Sequence, residues 1–187
     1  MTALIRFGCG AYTVSASVDA LPSLYSTFVA HAVVHEDFGI HSVDGTALFF
    51  SVKSIARDWP ELVVALRFAP GPEAGFYPGF LLIPETHIVF VGAGTSLLAY
   101  QLSTVVQRLW DDVADFGFWG WRRYGDVVLM SAETELAAWA IHGRKRWATF
   151  LEPPWSYEVH GDRLNLDVMG RKSSFVAAFG PKSHDSA

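Results

Sequence analysis

Val89-Phe90-Val91-Gly92-Ala93-Gly94-Thr95-Ser96-Leu97-Leu98-Ala99-Tyr100-Gln101-Leu102 aligns without a gap on Val128-Leu129-Met130-Ser131-Ala132-Glu133-Thr134-Glu135-Leu136-Ala137-Ala138-Trp139-Ala140-Ile141. Each copy is an apolar run, a short small or polar turn, and a second run that ends in an aromatic and an aliphatic residue. Short apolar runs bounded by turn residues are the signature of buried strands, so each copy predicts a β-hairpin. Glu133 and Glu135 stand where the first copy has Gly94 and Ser96, which predicts a tolerant, exposed turn.

The match continues downstream. A variable stretch leads to Trp110 in one copy and Trp147 in the other, then to a segment of aromatics with glycine or proline, then to Gly125-Asp126 or Gly161-Asp162 before a new apolar run. Gly-Asp between apolar runs is a hairpin signal, because glycine and aspartate tolerate the positive φ of tight turns. The unit is thus a hairpin plus a third strand, repeated. Over residues 76–168 it resembles the blades of quinoprotein-type and WD-type β-propellers, in which a strand pair leads to a Trp-bearing strand about every forty residues. The Gly-His…Trp-Asp signature is absent, and a closed ring of at least four ordinary blades looks too long for this chain. The resemblance therefore implies a strand meander, with no cofactor or partner.

A competing pattern crosses the first copy. Leu98, Leu102, Val105, Leu109, Val113 and Phe116 fall at helical steps, so residues 103–114 are open to either a helix or a strand. Residues 19–35 are open in the same way. Residues 45–52 and 62–68 predict strands, 54–59 a single helical turn stopped by Pro60, and 70–75 a loop. The fold class expected is mainly β, an antiparallel meander, sandwich or open barrel of repeated hairpin units with one or two short helices. One globular domain over 1–180 and a loose tail over 181–187 complete it.

With 51% hydrophobic and 18% charged residues, a chain of 187 residues is expected to fold rather than stay disordered. Its net charge of −5 offers no basic footprint for nucleic acid, and Arg144-Lys145-Arg146 looks like a solvated turn. Residues 88–107 are uncharged, yet the Gly92–Ser96 interruption favours two strands over a membrane helix. A single cysteine and an N-terminus without a basic and apolar leader suit the cytoplasm.

Six of the seven tryptophans lie between Trp110 and Trp155. They either staple successive hairpins or form a recognition face. Trp119, Trp121, Arg122, Arg123 and Tyr124 on one loop, and Glu152, Pro153, Pro154, Trp155 and Tyr157 on its equivalent, become neighbours if the repeats stack. Cys9 lies between two glycines, and with His31 or His35 it is the candidate nucleophile of a small hydrolase or deamidase. His31, His35 and His41 are the candidate metal ligands, without the intervening glutamate of a metalloprotease helix. No dinucleotide or paired-carboxylate motif is present, and no cofactor is expected. The leading expectation is a non-catalytic protein-binding module, in the manner of a bacterial immunity or antitoxin protein. The alternatives are the Cys–His enzyme and a metal-binding β protein.

Overall fold

Strands that alternate Val89, Val91 with Ile88, Phe90 have two apolar faces, and such strands must be covered on both sides. The computed structural model, which describes residues 4–103 and 105–182, satisfies this by stacking four sheets face to face. The first contains β1 (Ile5–Cys9), β2 (Tyr12–Val18), β3 (Val34–Phe38), β4 (Thr46–Ser54) and β5 (Leu62–Phe68), with helix α1 (Tyr25–His31) between β2 and β3. Its order is β1-β2-β4-β5-β3, antiparallel except that β3 runs parallel to β5.

The second sheet is the meander β6 (Gly79–Ile83), β7 (Ile88–Ala93), β8 (Ser96–Gln101), β9 (Gln107–Val113). The third repeats it as β10 (Phe118–Tyr124), β11 (Val127–Ala132), β12 (Glu135–Ala140), β13 (Lys145–Phe150). A fourth has β14 (Trp155–His160), β15 (Arg163–Val168) and β16 (Arg171–Val176). The fold is mainly β, as expected. Only the second and third sheets are the ordinary four-stranded unit; the first has five strands and the fourth three.

The aligned hairpins superpose residue for residue in register: Val89 pairs with Tyr100 and Val128 with Trp139. Even the irregularities recur. Ala99 faces Trp110 while Tyr100 faces Arg108, and Ala138 faces Trp147 while Trp139 faces Lys145. One extra residue, Leu109 or Arg146, is thus inserted as a bulge at the same place in both sheets. Residues 107–113 are therefore a strand, and the helical reading of 103–114 is set aside. The apparent stripe ran through β8, a loop, and a bulged edge strand whose phase the bulge resets.

Alternation assigns the three buried layers. Val89, Val91, Leu98 and Tyr100 meet Val14, Phe50, Val52 and Val64 of the first sheet. Ile88, Phe90, Leu97 and Ala99 meet Phe118, Val128, Met130 and Trp139 of the third. Val127, Leu129, Leu136 and Ala138 meet Leu164 and Leu166 of the fourth. The second layer tolerates no side chain at position 92, since a Cβ on Gly92 would enter the Phe118 ring.

The two ends of the stack are closed differently. On the first sheet α1 covers Phe49, with Phe28 stacked on it at 5.8 Å and Tyr25 edge-on at 6.0 Å. On the fourth, the outer face carries Ser156, Glu158, Asn165, Asp167, Lys172 and Ser174, a polar surface that ends the stack as a capping repeat does. Residues 19–35 resolve into α1 plus the start of β3, so both readings apply to different parts. Residues 55–60 make turns and bends with no helix, and 72–74 form a short 3-10 turn inside the predicted loop. Residues 88–101 are two strands, and no helix among the described residues is long and apolar enough to cross a membrane. The expected tail lies, from 183 onward, outside the described residues.

Candidate functional site

Of the two segments expected as equivalent loops, residues 119–124 lie in β10 and 155–157 in β14, the first strands of adjacent sheets, while 152–154 form the loop before β14. What separates their aromatics is a bulge. The β10–β11 register jumps from Phe118 opposite Ala132 to Gly120 opposite Ser131, leaving Trp119 as the extra residue. Strict alternation would turn Trp119 and Trp121 to one side, and the bulge sends them apart.

Trp121 therefore points with Phe118 into the layer between the second and third sheets. Its ring lies 5.3 Å from Phe90, 5.6 Å from Phe118 and 5.4 Å from Trp139. It is half-buried, packed against that core layer. Trp119 turns the other way and stacks on Trp155 of the fourth sheet, centroids 5.2 Å apart and planes 27° from parallel. Trp155 in turn stacks on Tyr157 at 6.2 Å, and its indole N–H donates to the Glu133 carbonyl at 2.7 Å. Three rings form a ladder whose inner members are fixed and whose outer member, Trp119, is 47% exposed.

The polar candidates divide. Arg123 is committed: its guanidinium donates to both carboxylate oxygens of Glu85 at 2.9 and 3.1 Å and to the Gly125 carbonyl at 2.9 Å. It ties the third sheet to the β6–β7 turn. Backbone hydrogen bonding at Glu85, with Arg123 beside it, holds that carboxyl below the usual range. Arg122 is exposed near Tyr124, toward the other end of β10 and about 10 Å from Trp119 along the strand. The Tyr157 hydroxyl is buried without a hydrogen-bond partner, Tyr124 facing it outside good geometry. Burial first, then Tyr124, pushes the Tyr157 phenol up. Glu152 is exposed in the loop before β14.

The Cys–His candidates stay apart. Cys9 lies on β1 and His35 on β3, at opposite edges of a five-stranded sheet, four strand spacings or about 19 Å from each other. The Cys9 thiol points to the Leu82 carbonyl at 3.8 Å. His31 ends α1, stacks on Trp59 at 4.2 Å and bonds the Thr27 carbonyl through Nδ1. His35 Nε2 meets the Tyr25 hydroxyl at 3.0 Å, and His41 lies 3.6 Å from Asp37. Among the described residues no three His, Cys, Asp or Glu side chains gather as metal ligands.

Two features escape the sequence pattern. Tyr100, fully buried, donates to Glu36 of β3 at 2.5 Å, and Arg108 sits 3.7 Å from the other carboxylate oxygen and 5.3 Å above the Phe38 ring. The other is Glu135, expected on an exposed turn and in fact only 8% exposed.

No family model matches the chain, and no curated protein matches it. Among solved structures it is similar to the β-propeller domain of the Trilobed protease from Pyrococcus furiosus, described as having an open velcro topology. That likeness has a TM-score of 0.48 at 8% identity over 89% of this chain and 48% of that one, so the chain spans about half its length. A second similar structure is KlHsv2 with loop 6CD replaced by a Gly-Ser linker, with a TM-score of 0.32 at 11% identity over 56% and 36% of the two chains.

Proposed function

We propose that this protein is a non-catalytic, cytoplasmic protein-binding module that offers the Trp119 edge to a partner protein. One observation carries the reading: a tryptophan left half open while its stacking partner is locked by a hydrogen bond. Interfaces draw most of their energy from a few aromatic anchors, and an anchor already held in place loses little entropy on binding. Exposed apolar groups flank it, Phe116 three residues before and Met169, whose backbone bonds the Pro154 carbonyl just ahead of Trp155. An immunity- or antitoxin-like neutraliser is the form of module that a net charge of −5 suits, since that field attracts a basic partner.

The test is recovery of the partner from cells on immobilised wild type and Trp119→Ala, with folding followed by circular dichroism. The expected result is loss of the specific partner with the spectrum unchanged. Equal recovery on both removes the reading.

A further inference from the structure

Glu135 opens β12 directly opposite Phe150 on β13, as Ser96 opens β8 opposite Val113. The two positions are equivalent in the repeat, so the glutamate occupies a place where the neighbouring sheet has a hydroxyl. It lies in a groove of about 480 Å³ between the second and third sheets. Val113, Ala114, Ala148 and Phe150 make the apolar walls, and Val113 and Phe150 are each 68% exposed. Asp115 stands beside the glutamate.

The carboxylate is short of partners. Oε2 accepts the Asp115 backbone N–H at 2.9 Å, and no cation pairs with Glu135 among the described residues. The cation beside the neighbouring Asp112 is committed: Lys145 holds that carboxylate at 2.6 Å. The Asp115 carboxylate accepts from the Thr134 hydroxyl at 2.9 Å. A buried acid without a counter-charge is costly to keep, and it is better matched by a cation supplied from outside than by water alone. Apolar walls suit the methylene stem of a basic side chain, and an exposed phenyl face suits its charged head.

We propose that this groove receives an arginine or lysine side chain of a protein partner, with Glu135 as the counter-ion and Val113 and Phe150 gripping the stem. This rests on the reading of the chain as a protein-binding module, and it names the partner's chemistry. The turn at 133–134 joins the two sites, because the Glu133 carbonyl holds Trp155 while Thr134 holds Asp115. One partner surface can therefore reach both.

The experiment titrates the full chain, at low ionic strength, with n-butylguanidinium and n-butylammonium chloride, following backbone amides by NMR and using sodium chloride as the control. The expected result is a saturable shift of the Asp115 and Phe150 amides, at least fivefold weaker in Glu135→Gln, which keeps an oxygen for the Asp115 N–H. Glu135→Ser, which installs the residue of the equivalent position, gives the same loss, and Phe150→Ala weakens the response about threefold. An undiminished response in Glu135→Gln, or one that sodium chloride reproduces, overturns the proposal. Trp119→Ala leaves this titration unchanged, so the two readings fail separately. A lost groove response with an intact Trp119 edge defeats only the present inference, whereas an intact groove response with no partner lost in Trp119→Ala defeats the proposed function and, with it, the assignment of the groove to a protein partner.

Discussion

The indole N–H of Trp110 donates to the carbonyl of Gly143, and one repeat later the indole of Trp147 donates to the Ala177 carbonyl at 2.8 Å. Each tryptophan sits just past the bulge of a fourth strand and reaches into the loop that follows the third strand of the next sheet. Trp110 also stacks on Trp139 at 5.4 Å, and Trp147 meets Phe175 edge-on at 5.7 Å. Successive sheets are thus joined at their outer sides by the same device used twice. A shared layer of apolar side chains has no direction of its own, whereas an indole donating to one carbonyl sets how far one sheet slides over the next.

The bond predicts a graded loss at Trp147. Trp147→Phe keeps an aromatic beside Phe175 but leaves the Ala177 carbonyl unpaired in the interior, at a cost of about 1–3 kcal/mol. Trp147→Ala adds a cavity and costs about 3–5 kcal/mol. Urea unfolding measures both, and a Phe variant as stable as wild type would show that the hydrogen bond carries nothing.

Gly92 and Phe118 form a second test, because they bring the second and third sheets into close approach. Gly92→Ala drives a methyl into the Phe118 ring, an overpacking cost of about 1–3 kcal/mol. Phe118→Leu in the same chain frees the space, so the double variant is less destabilised than the two single losses added together. Simple additivity in the thermodynamic cycle would mean that the residues are not in conflict.

The repeated hairpins were legible because β7–β8 and β11–β12 are buried on both faces, and nearly every residue is held to an apolar pattern. The edge strand β9 was not, since its bulge at Leu109 breaks the period of two and one face meets solvent. The direction of Trp119 was hidden for the same reason: a bulge depends on pairing with Ser131 and Ala132, and no pattern local to 116–121 contains it. Glu135 looked like a surface residue beside Glu133, and only the strand at its side, with Phe150 opposite, buries it. In the first sheet the parallel pairing of β3 with β5, and the bond from Tyr100 to Glu36 across sheets, join residues far apart in the chain that no local pattern brings together.

Trp119 and Trp121 should respond in opposite ways, although they are nearly adjacent. Trp119→Ala removes a half-exposed ring and is expected to cost about 1 kcal/mol or less, leaving the fold intact. Trp121→Ala empties a site enclosed by Phe90, Phe118 and Trp139 and costs about 3–5 kcal/mol. Thermal melting of the two variants decides, and equal shifts would contradict the bulge-directed orientation.

Two buried phenols differ in whether they are satisfied. At neutral pH, Tyr100→Phe strips Glu36 of a charge-assisted donor and destabilises by about 1.5–3 kcal/mol, while Tyr157→Phe removes a hydroxyl with no partner and is neutral or slightly stabilising. Alkaline solution treats them alike. Burial raises Tyr12, Tyr25, Tyr100 and Tyr157 above the ordinary phenol value. In the unfolded chain these groups ionise near pH 10, so above that pH the unfolded state holds fewer protons than the folded one. Their contribution is therefore intact below about pH 10 and is lost as the pH climbs toward the raised folded values. Each such tyrosine steepens the loss by at most about 1.4 kcal/mol per pH unit, so either Phe variant flattens the alkaline limb. Urea titrations at pH 7, 9, 10.5 and 11 separate the two effects. A Tyr157→Phe variant that is clearly weaker at pH 7, or an alkaline limb unchanged in both, would refute the account.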